Sequence, residues 1–290
     1  MAVKEQIEAA MAGLRPRLHR YCARMTGSAI DGEDVVQDTL VKALEALPRD
    51  MPDNPEAWLL RIAHNTALDF LRRRARHAEP RPPEELAMVA TPVDPVQQRE
   101  TAAMSLATFM RLPVAQRSAV ILKDVLGHSL EEIGAMTGGS LPAAKSALQR
   151  GRARLRELAR EPDEIEAPRL TEAERVRLVD YVERFNARDL DAVRAMLADD
   201  VRLDLVNRLS ATGRDQVGQY FSRYAAAAQW RFAPGFVDRR PAMLVFDRED
   251  PAGGPAYFVL IDWRAGKIGA IRDFLFARYA LDGAELFALG

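Results

Sequence analysis

A chain of 290 residues is long for one ordinary domain, and its 48% hydrophobic and 29% charged residues exclude wholesale disorder and collagen-like or low-complexity polymers, so two or three folded units are expected. The formal charge is −1, no stretch approaches the apolar length of a membrane span, and the opening MAVKEQIEAAMAG lacks the basic start and apolar core of a secretion signal; a cytoplasmic location without a membrane partner is expected. Cys22 is the single cysteine, which excludes an intrachain disulfide and a cysteine-cluster metal centre and predicts a small core residue.

Ala9 to Thr26, Gly32 to Leu47 and Pro55 to Arg76 repeat apolar residues at three- and four-residue spacing, predicting three amphipathic helices separated by Gly27, Pro48 and Pro52. The second opens on DGEDVVQD, Asp31 to Asp38. Carboxylates there suit the positive end of a helix dipole, which accounts for Asp31, Glu33 and Asp34; a surface for a protein partner is the rival reading. The third contains AWLLRIAHNTALDFLRRRAR, in which Trp58, Ile62, Leu68 and Leu71 anchor one face and Arg61, Asn65, Asp69 and Arg72 to Arg74 lie on or beside another. A positive groove beside pockets for unstacked bases is how single-stranded nucleic acid is held, whereas a core-anchored helix with a solvated basic face is the plainer alternative.

Ala75 to Pro95 carries five prolines and little apolar periodicity, predicting an extended linker. Beyond it, Val96 to Arg111, Pro113 to Leu126, Leu130 to Met136 and Pro142 to Ala159 read as helices of a second small bundle. Residues 101 to 160 hold nine basic and four acidic side chains, a local excess of +5, while residues 161 to 290 carry −4. The segment GHSLEEIGAMTGGSLPAAKSALQRGRARLRELAR fits a helix-turn-helix. Ser129 with Glu132 has capping-box spacing, Gly138 and Gly139 supply the turn, and Ser140 or Leu141 with Pro142 opens the second helix. On that helix Leu141, Ala144, Leu148, Leu155 and Leu158 are assigned to the core. Ala143, Lys145, Ser146, Gln149 and Arg150 then lie near its exposed amino-terminal half, where such side chains meet bases and phosphates in a major groove.

EPDEIEAP, Glu161 to Pro168, marks a second break. After it come two helical stretches, Glu172 to Ala187 and Leu190 to Leu197, a strand at Val201 to Val206, and a helix at Arg214 to Ala228. Four further strands follow at Arg231 to Val237, Ala242 to Asp247, Tyr257 to Trp263 and Lys267 to Phe274, an α+β pattern. The four histidines have no metal-ligand spacing and no glycine-rich phosphate loop occurs, so neither metal nor cofactor is expected.

Together, DGEDVVQDTLVKAL, AWLLRIAHNTALDFLRRR and LPVAQRSAVILKDVLGHSLEEIGAMTGGSLPAAKSALQRGRARLRE resemble, in order, the extracytoplasmic-function (ECF) group of bacterial sigma-70 factors over residues 9 to 160. The resemblance implies a non-enzymatic promoter-specificity subunit that docks on core RNA polymerase, at the β′ clamp helices and the β flap, and binds promoter DNA. It carries Asp34, Gln37 and Asp38 over as core-binding residues, Asn65, Asp69, Arg72 and Arg73 as −10 contacts, and Lys145, Ser146, Gln149 and Arg150 as −35 contacts. Where the family often has Gly-Thr-Val-Lys-Ser-Arg, this chain has Leu141-Pro142-Ala143-Ala144-Lys145-Ser146-Ala147, one arginine fewer. The last part, through FNARDLDAVRAMLADDV, resembles a SnoaL-like domain of the NTF2-like superfamily, a sheet wrapped around helices to leave a conical cavity. Tyr181, Asp204, Asn207, Tyr220, Arg231, Asp262 and Arg272 are its candidate cavity groups, with Asp204 or Asp262 as a buried carboxylate.

The fold class expected is therefore multidomain: a sigma region 2-like helical domain at 1–76, a linker at 77–98, a region 4-like helix-turn-helix domain at 99–162 and an α+β NTF2-like domain at 169–290. The last is expected to contact the sigma domains of its own chain and regulate them. The alternatives are a ligand-responsive helix-turn-helix regulator and an NTF2-like isomerase or cyclase fused to a DNA-binding region.

Overall fold

The computed structural model describes residues 3–46, 52–76, 104–160, 168–225, 229–250 and 253–289. The linker expected over 77–98 and most of the break at 161–168 lie outside them. The chain forms two compact units, Met1–Glu164 with Asp282–Ala284, and Ile165–Leu281 with Glu285–Gly290.

The first unit is all-helical among the described residues. Its first three helices are α1 (Val3–Thr26), α2 (Ala29–Glu45) and α3 (Pro55–Arg76). Helix α2 begins three residues before the expected Gly32 because the Ser28 hydroxyl accepts from the Asp31 amide and caps it there. Next come α4 (Leu106–Met110) and α5 (Val114–Val120), which runs on as a π-helical stretch, Ile121–Val125; α6 (Leu130–Thr137) and α7 (Leu141–Leu158) follow.

Where the sequence suggests two separate bundles, these helices share one apolar core. Tyr21, Cys22 and Met25 of α1, Val35 and Val36 of α2, and Leu59 and Ala63 of α3 belong to the same buried cluster as Phe109, Ile121, Ile133, Leu148 and Leu155. Polar groups join inside it. The Arg117 guanidinium is buried and donates to the carbonyls of Met25 at 2.6 Å and Leu112 at 3.0 Å. Burial lowers its pKa to about 10, and the carbonyls give its protons somewhere to go. Tyr21 Oη lies 2.7 Å from His64 Nδ1 and 3.0 Å from Ser118 Oγ, so α1, α3 and α5 meet on one hydrogen-bonded triad. Burial pushes His64 down to about 4, which keeps its imidazole neutral.

The second unit is α+β. Helices α8 (Glu172–Ala187), α9 (Leu190–Ala195) and α10 (Arg214–Ala225) accompany β1 (Leu197–Leu205), β2 (Leu209–Thr212), β3 (Trp230–Val237), β4 (Arg240–Asp247), β5 (Tyr257–Arg264), β6 (Lys267–Asp273) and β7 (Leu286–Ala288). They form one mixed sheet in the order β2-β1-β6-β5-β4-β3-β7, in which β1 and β6 run parallel and every other neighbouring pair is antiparallel. Leu197, expected to end a helix, instead begins β1, and its side chain is buried. Strands β2 and β7 were not expected. They are short edge strands of four and three residues, too brief for alternation to register. One face of the sheet packs on the helices through a core that includes Leu178, Val182 and Phe185 of α8, Val217 and Phe221 of α10, and Leu203, Phe232, Val245, Val259 and Ile271 of the strands.

Candidate nucleic-acid interface

The helix-turn-helix is assembled by local chemistry. Glu132 N donates to Ser129 Oγ at 3.1 Å and Ser129 N to Glu132 Oε2 at 2.8 Å, a complete capping box that starts α6. Those bonds hold the Glu132 carboxyl below its usual range. Gly138, at φ 72°, ends α6 in the left-handed region that a side chain disfavours. Ser140 then caps α7 by accepting from the Ala143 amide.

Helix α7 buries Ala144, Ala147, Leu148, Gly151, Arg152, Leu155 and Leu158. On the opposite side Lys145 and Arg150 are exposed, and Ser146 and Gln149 are half-buried; Arg150 Nη1 donates to Ser146 Oγ at 2.5 Å. The structure thus brings the four expected residues to one end of α7. Leu141 does not join the core: it is 44% exposed, because the buried stripe begins one turn later at Ala144. Arg152, which sequence reasoning missed, is buried and grips Asp124 of the π-helical stretch with both guanidinium edges, Nε at 2.9 Å from Oδ2 and Nη2 against Oδ1. A Cβ on Gly151 would stand 2.6 Å from Val120 Cγ2, so glycine lets α7 close onto α5 at this contact. Grip and close approach together set which face of α7 is turned outward.

Helix α3 buries Leu59, Leu60, Ala63, His64, Thr66 and Ala67, with Trp58, Ile62, Leu68 and Leu71 packed at the margin of the core. Arg61, Asn65, Asp69, Arg72 and Arg73 are all exposed and form a continuous stripe. Arg72 Nη1 donates to Asp69 Oδ1 at 3.0 Å, and Arg73 lies 3.6 Å from Asp38. Such exposed pairs contribute only about 0–1 kcal/mol and exchange readily for phosphate oxygens.

On α2, Asp34 and Gln37 are half-buried and Asp38 is exposed, next to two exposed apolar side chains, Val41 at 54% and Leu44 at 39%. The dipole reading does not cover Glu33: its carboxylate is fully buried and paired with Arg15. Asp31 is also mostly enclosed and accepts from Arg74 Nη1 at 3.1 Å.

In the second unit the seven expected cavity groups separate. Tyr181 and Tyr220 are buried in the core. Asn207 is exposed in the β1–β2 turn, where it donates to Phe276 O and Tyr279 Oη. Asp204 and Arg272 pair with each other across β1 and β6 at 3.2 Å. Asp262 is exposed beside Arg264, and Arg231 is exposed over the Phe246 ring. Asn207 is off the core because it sits in the turn, and the strand residues are off it because of strand alternation. Leu203, Leu205, Ile261 and Ile271 point inward, and strand alternation sends Asp204, Asp262 and Arg272 the other way.

The buried carboxylate is Asp273, two residues after Ile271 on the inward face and fully enclosed. Tyr220 Oη and Tyr224 Oη both donate to its Oδ2, the latter at 2.7 Å, and Leu275 N donates to Oδ1 at 2.8 Å. Burial pushes its pKa up, against the pull of those donors.

No described helix is long and apolar enough to cross a membrane, and no group of metal-ligating side chains occurs among the described residues. Residues 11–77 match the family model for sigma-70 region 2, and residues 106–155 match that for sigma-70 region 4. The chain is 35% identical over 145 residues to the ECF RNA polymerase sigma factor SigE of Mycolicibacterium smegmatis, covering 49% of this chain and 56% of that protein. It is also 35% identical over 143 residues to the ECF RNA polymerase sigma factor SigM of Mycobacterium tuberculosis, covering 49% and 71%. It thus spans little more than half the length of the first of these curated relatives. The crystal structure of the Mycobacterium tuberculosis extracytoplasmic function sigma factor SigJ aligns over 91% of this chain and 95% of its own, at 21% identity and a TM-score of 0.37.

Proposed function

The chain belongs to the family of ECF RNA polymerase sigma factors, and from that premise we propose that it directs core RNA polymerase to promoters, reading a −35 element with α7 and opening a −10 element on α3. One observation carries this reading. Two helices in a single chain each present an exposed basic stripe while the opposite face is fixed in a shared apolar core. In this reading Lys145, Ser146, Gln149 and Arg150 meet the −35 element, while Asn65, Asp69, Arg72 and Arg73 hold the −10 strand. Phosphate neutralisation supplies most of the affinity, so added salt weakens binding steeply.

Asp34, Gln37 and Asp38 contact the β′ clamp helices of the polymerase. The exposed Val41 and Leu44 beside them support this, since an apolar pair rimmed by acidic groups suits a protein surface better than DNA. The region 4-like helices engage the β flap. The second unit, net acidic where the reader is basic, regulates initiation from within the chain. The protein makes no covalent bond itself and works in the cytoplasm.

Transcription in vitro with purified core polymerase on genomic fragments tests the proposal. Discrete starts that depend on the full-length chain are expected; failure to associate with core, or output indifferent to the chain on every template, overturns it. A chain ending after Pro168 tests the regulatory role: output should change, and equal output at matched protein levels refutes that part alone.

A further inference from the structure

The promoter reading leaves one cation of the first unit without a role. Lys42 lies in the last turn of α2, one turn beyond Asp38, and both side chains reach across to α3, Asp38 toward Arg73 and Lys42 toward Asp69 at 3.7 Å. The Lys42 ammonium also donates to Thr66 Oγ1 at 3.2 Å. Thr66 is 1% exposed, whereas Lys42 keeps 46% of its side chain in contact with solvent. A cation at the carboxyl end of a helix suits the dipole, which accounts for its charge but not for its direction. A lysine side chain is long and ordinarily free to wander; here a buried hydroxyl of α3 fixes its head group.

The place where it is fixed matters. Thr66 lies between Asn65 and Asp69 in the chain, so the ammonium is brought alongside the exposed stripe of Arg61, Asn65, Asp69, Arg72 and Arg73. Asp69 is the one carboxylate of that stripe, and a carboxylate repels a strand of phosphates. Two cations flank it: Arg72 Nη1 donates to Oδ1 at 3.0 Å from the same helix, and Lys42 faces Oδ2 from α2. Arg72 alone would leave the site neutral; with Lys42 the three groups carry a net positive charge. An ammonium has three hydrogens to donate. One goes to Thr66 and one turns toward Asp69, which leaves one on a half-exposed side chain for a further acceptor.

We infer that Lys42 is a further DNA-contacting residue, which carries the basic track of α3 onto α2 and takes one backbone phosphate of the opened −10 strand. The inference rests on the reading of α3 as the −10 helix and adds a second helix to it. The strand is then held along the seam between α2 and α3, where Asp38 and Lys42 already meet the side chains of α3.

The test uses the full-length chain in complex with core polymerase and a promoter fragment whose −10 region is held open by mismatched bases, with binding measured as a function of salt. Lys42→Ala should lower the slope of log affinity against log salt by about 0.7, the value for one phosphate of a single strand, and should weaken binding about fivefold at about 0.1 M salt. Lys42→Arg keeps the charge and should keep the slope of the parent protein. An unchanged slope for Lys42→Ala overturns the inference even if affinity falls, because weaker binding at constant slope means that the lysine only steadies Thr66 and Asp69. So does a Lys42→Arg variant that loses as much slope as Lys42→Ala. Arg72→Ala and Arg73→Ala in the same assay separate the two readings. If they lower the slope and Lys42→Ala does not, the inference fails and the −10 assignment of α3 stands; if none of the three lowers it, both fail.

Discussion

Asp124 and Asp273 are both buried carboxylates, and the two units accommodate them by different means. In the first unit Arg152 answers Asp124 with two parallel hydrogen bonds between unlike charges. In the second, Asp273 has no cation among the described residues within ion-pairing distance and is surrounded by phenols and a backbone amide. A paired charge costs most when one partner is removed, because the other is stranded. A carboxylate held by neutral donors can simply take a proton. The first arrangement fixes the direction of a helix; the second leaves a group free to titrate inside an apolar interior.

The largest effect expected is from breaking the pair. Arg152→Met strands Asp124 and should cost about 3–5 kcal/mol in denaturant unfolding of the first unit, followed through Trp58. Asp124→Leu with Arg152→Met should recover most of that loss. If the double variant is as unstable as the single one, the pair is not what holds α7.

The pH dependences of the two units should have opposite signs. His64 is held at about 4 by burial, so the unfolded chain takes up its proton first. Its contribution is complete above about 6.5, the ordinary histidine value, and is lost as the pH falls from there through about 4. Asp273 is raised, so its contribution is complete below the ordinary carboxylate range and is lost as the pH rises through the raised value. Unfolding against pH, compared with His64→Gln for the first unit and Asp273→Asn for the second, isolates each slope. Differences of the same sign in both units would break the comparison.

Substitutions on the exposed face of α7 probe function with little effect on folding. Lys145→Ala and Arg150→Ala should each weaken promoter binding by the polymerase complex and lower the salt slope by about one, with the melting temperature unchanged. An unaltered slope would remove that residue from the phosphate-contacting set. The smallest change expected is for Ser129→Ala, which removes one cap of α6 and should cost about 1 kcal/mol in unfolding.

Much of the reader was legible. Ser129, Glu132, Gly138 and Ser140 are local signals whose partners lie within a few residues, and the sequence places α6 and α7 through them. Leu141 was misassigned because helical periodicity gives a face without saying at which turn burial begins. Arg152 looked like one more member of an arginine run, and only Asp124, 28 residues away, makes it a core residue. The strand carboxylates followed parity. Asp204 and Asp262 each sit next to inward-facing apolar residues and so face outward, while Asp273 is two from Ile271 and faces inward. That rule is available in the sequence: Arg272 and Asp273 are neighbours on β6 and so fall on opposite faces of the sheet.

The amino-acid order alone determined that this is a mainly helical, basic-faced reader followed by an α+β unit, because periodicity, caps and turn residues act over a few positions and need nothing distant. Only the tertiary structure decided that the helices of the first unit share one core, that Asp124 meets Arg152, and that Tyr220 and Tyr224 meet Asp273 in the second unit. Those facts depend on groups distant in the chain coming within a few ångströms, which folding in three dimensions fixes and local spacing does not.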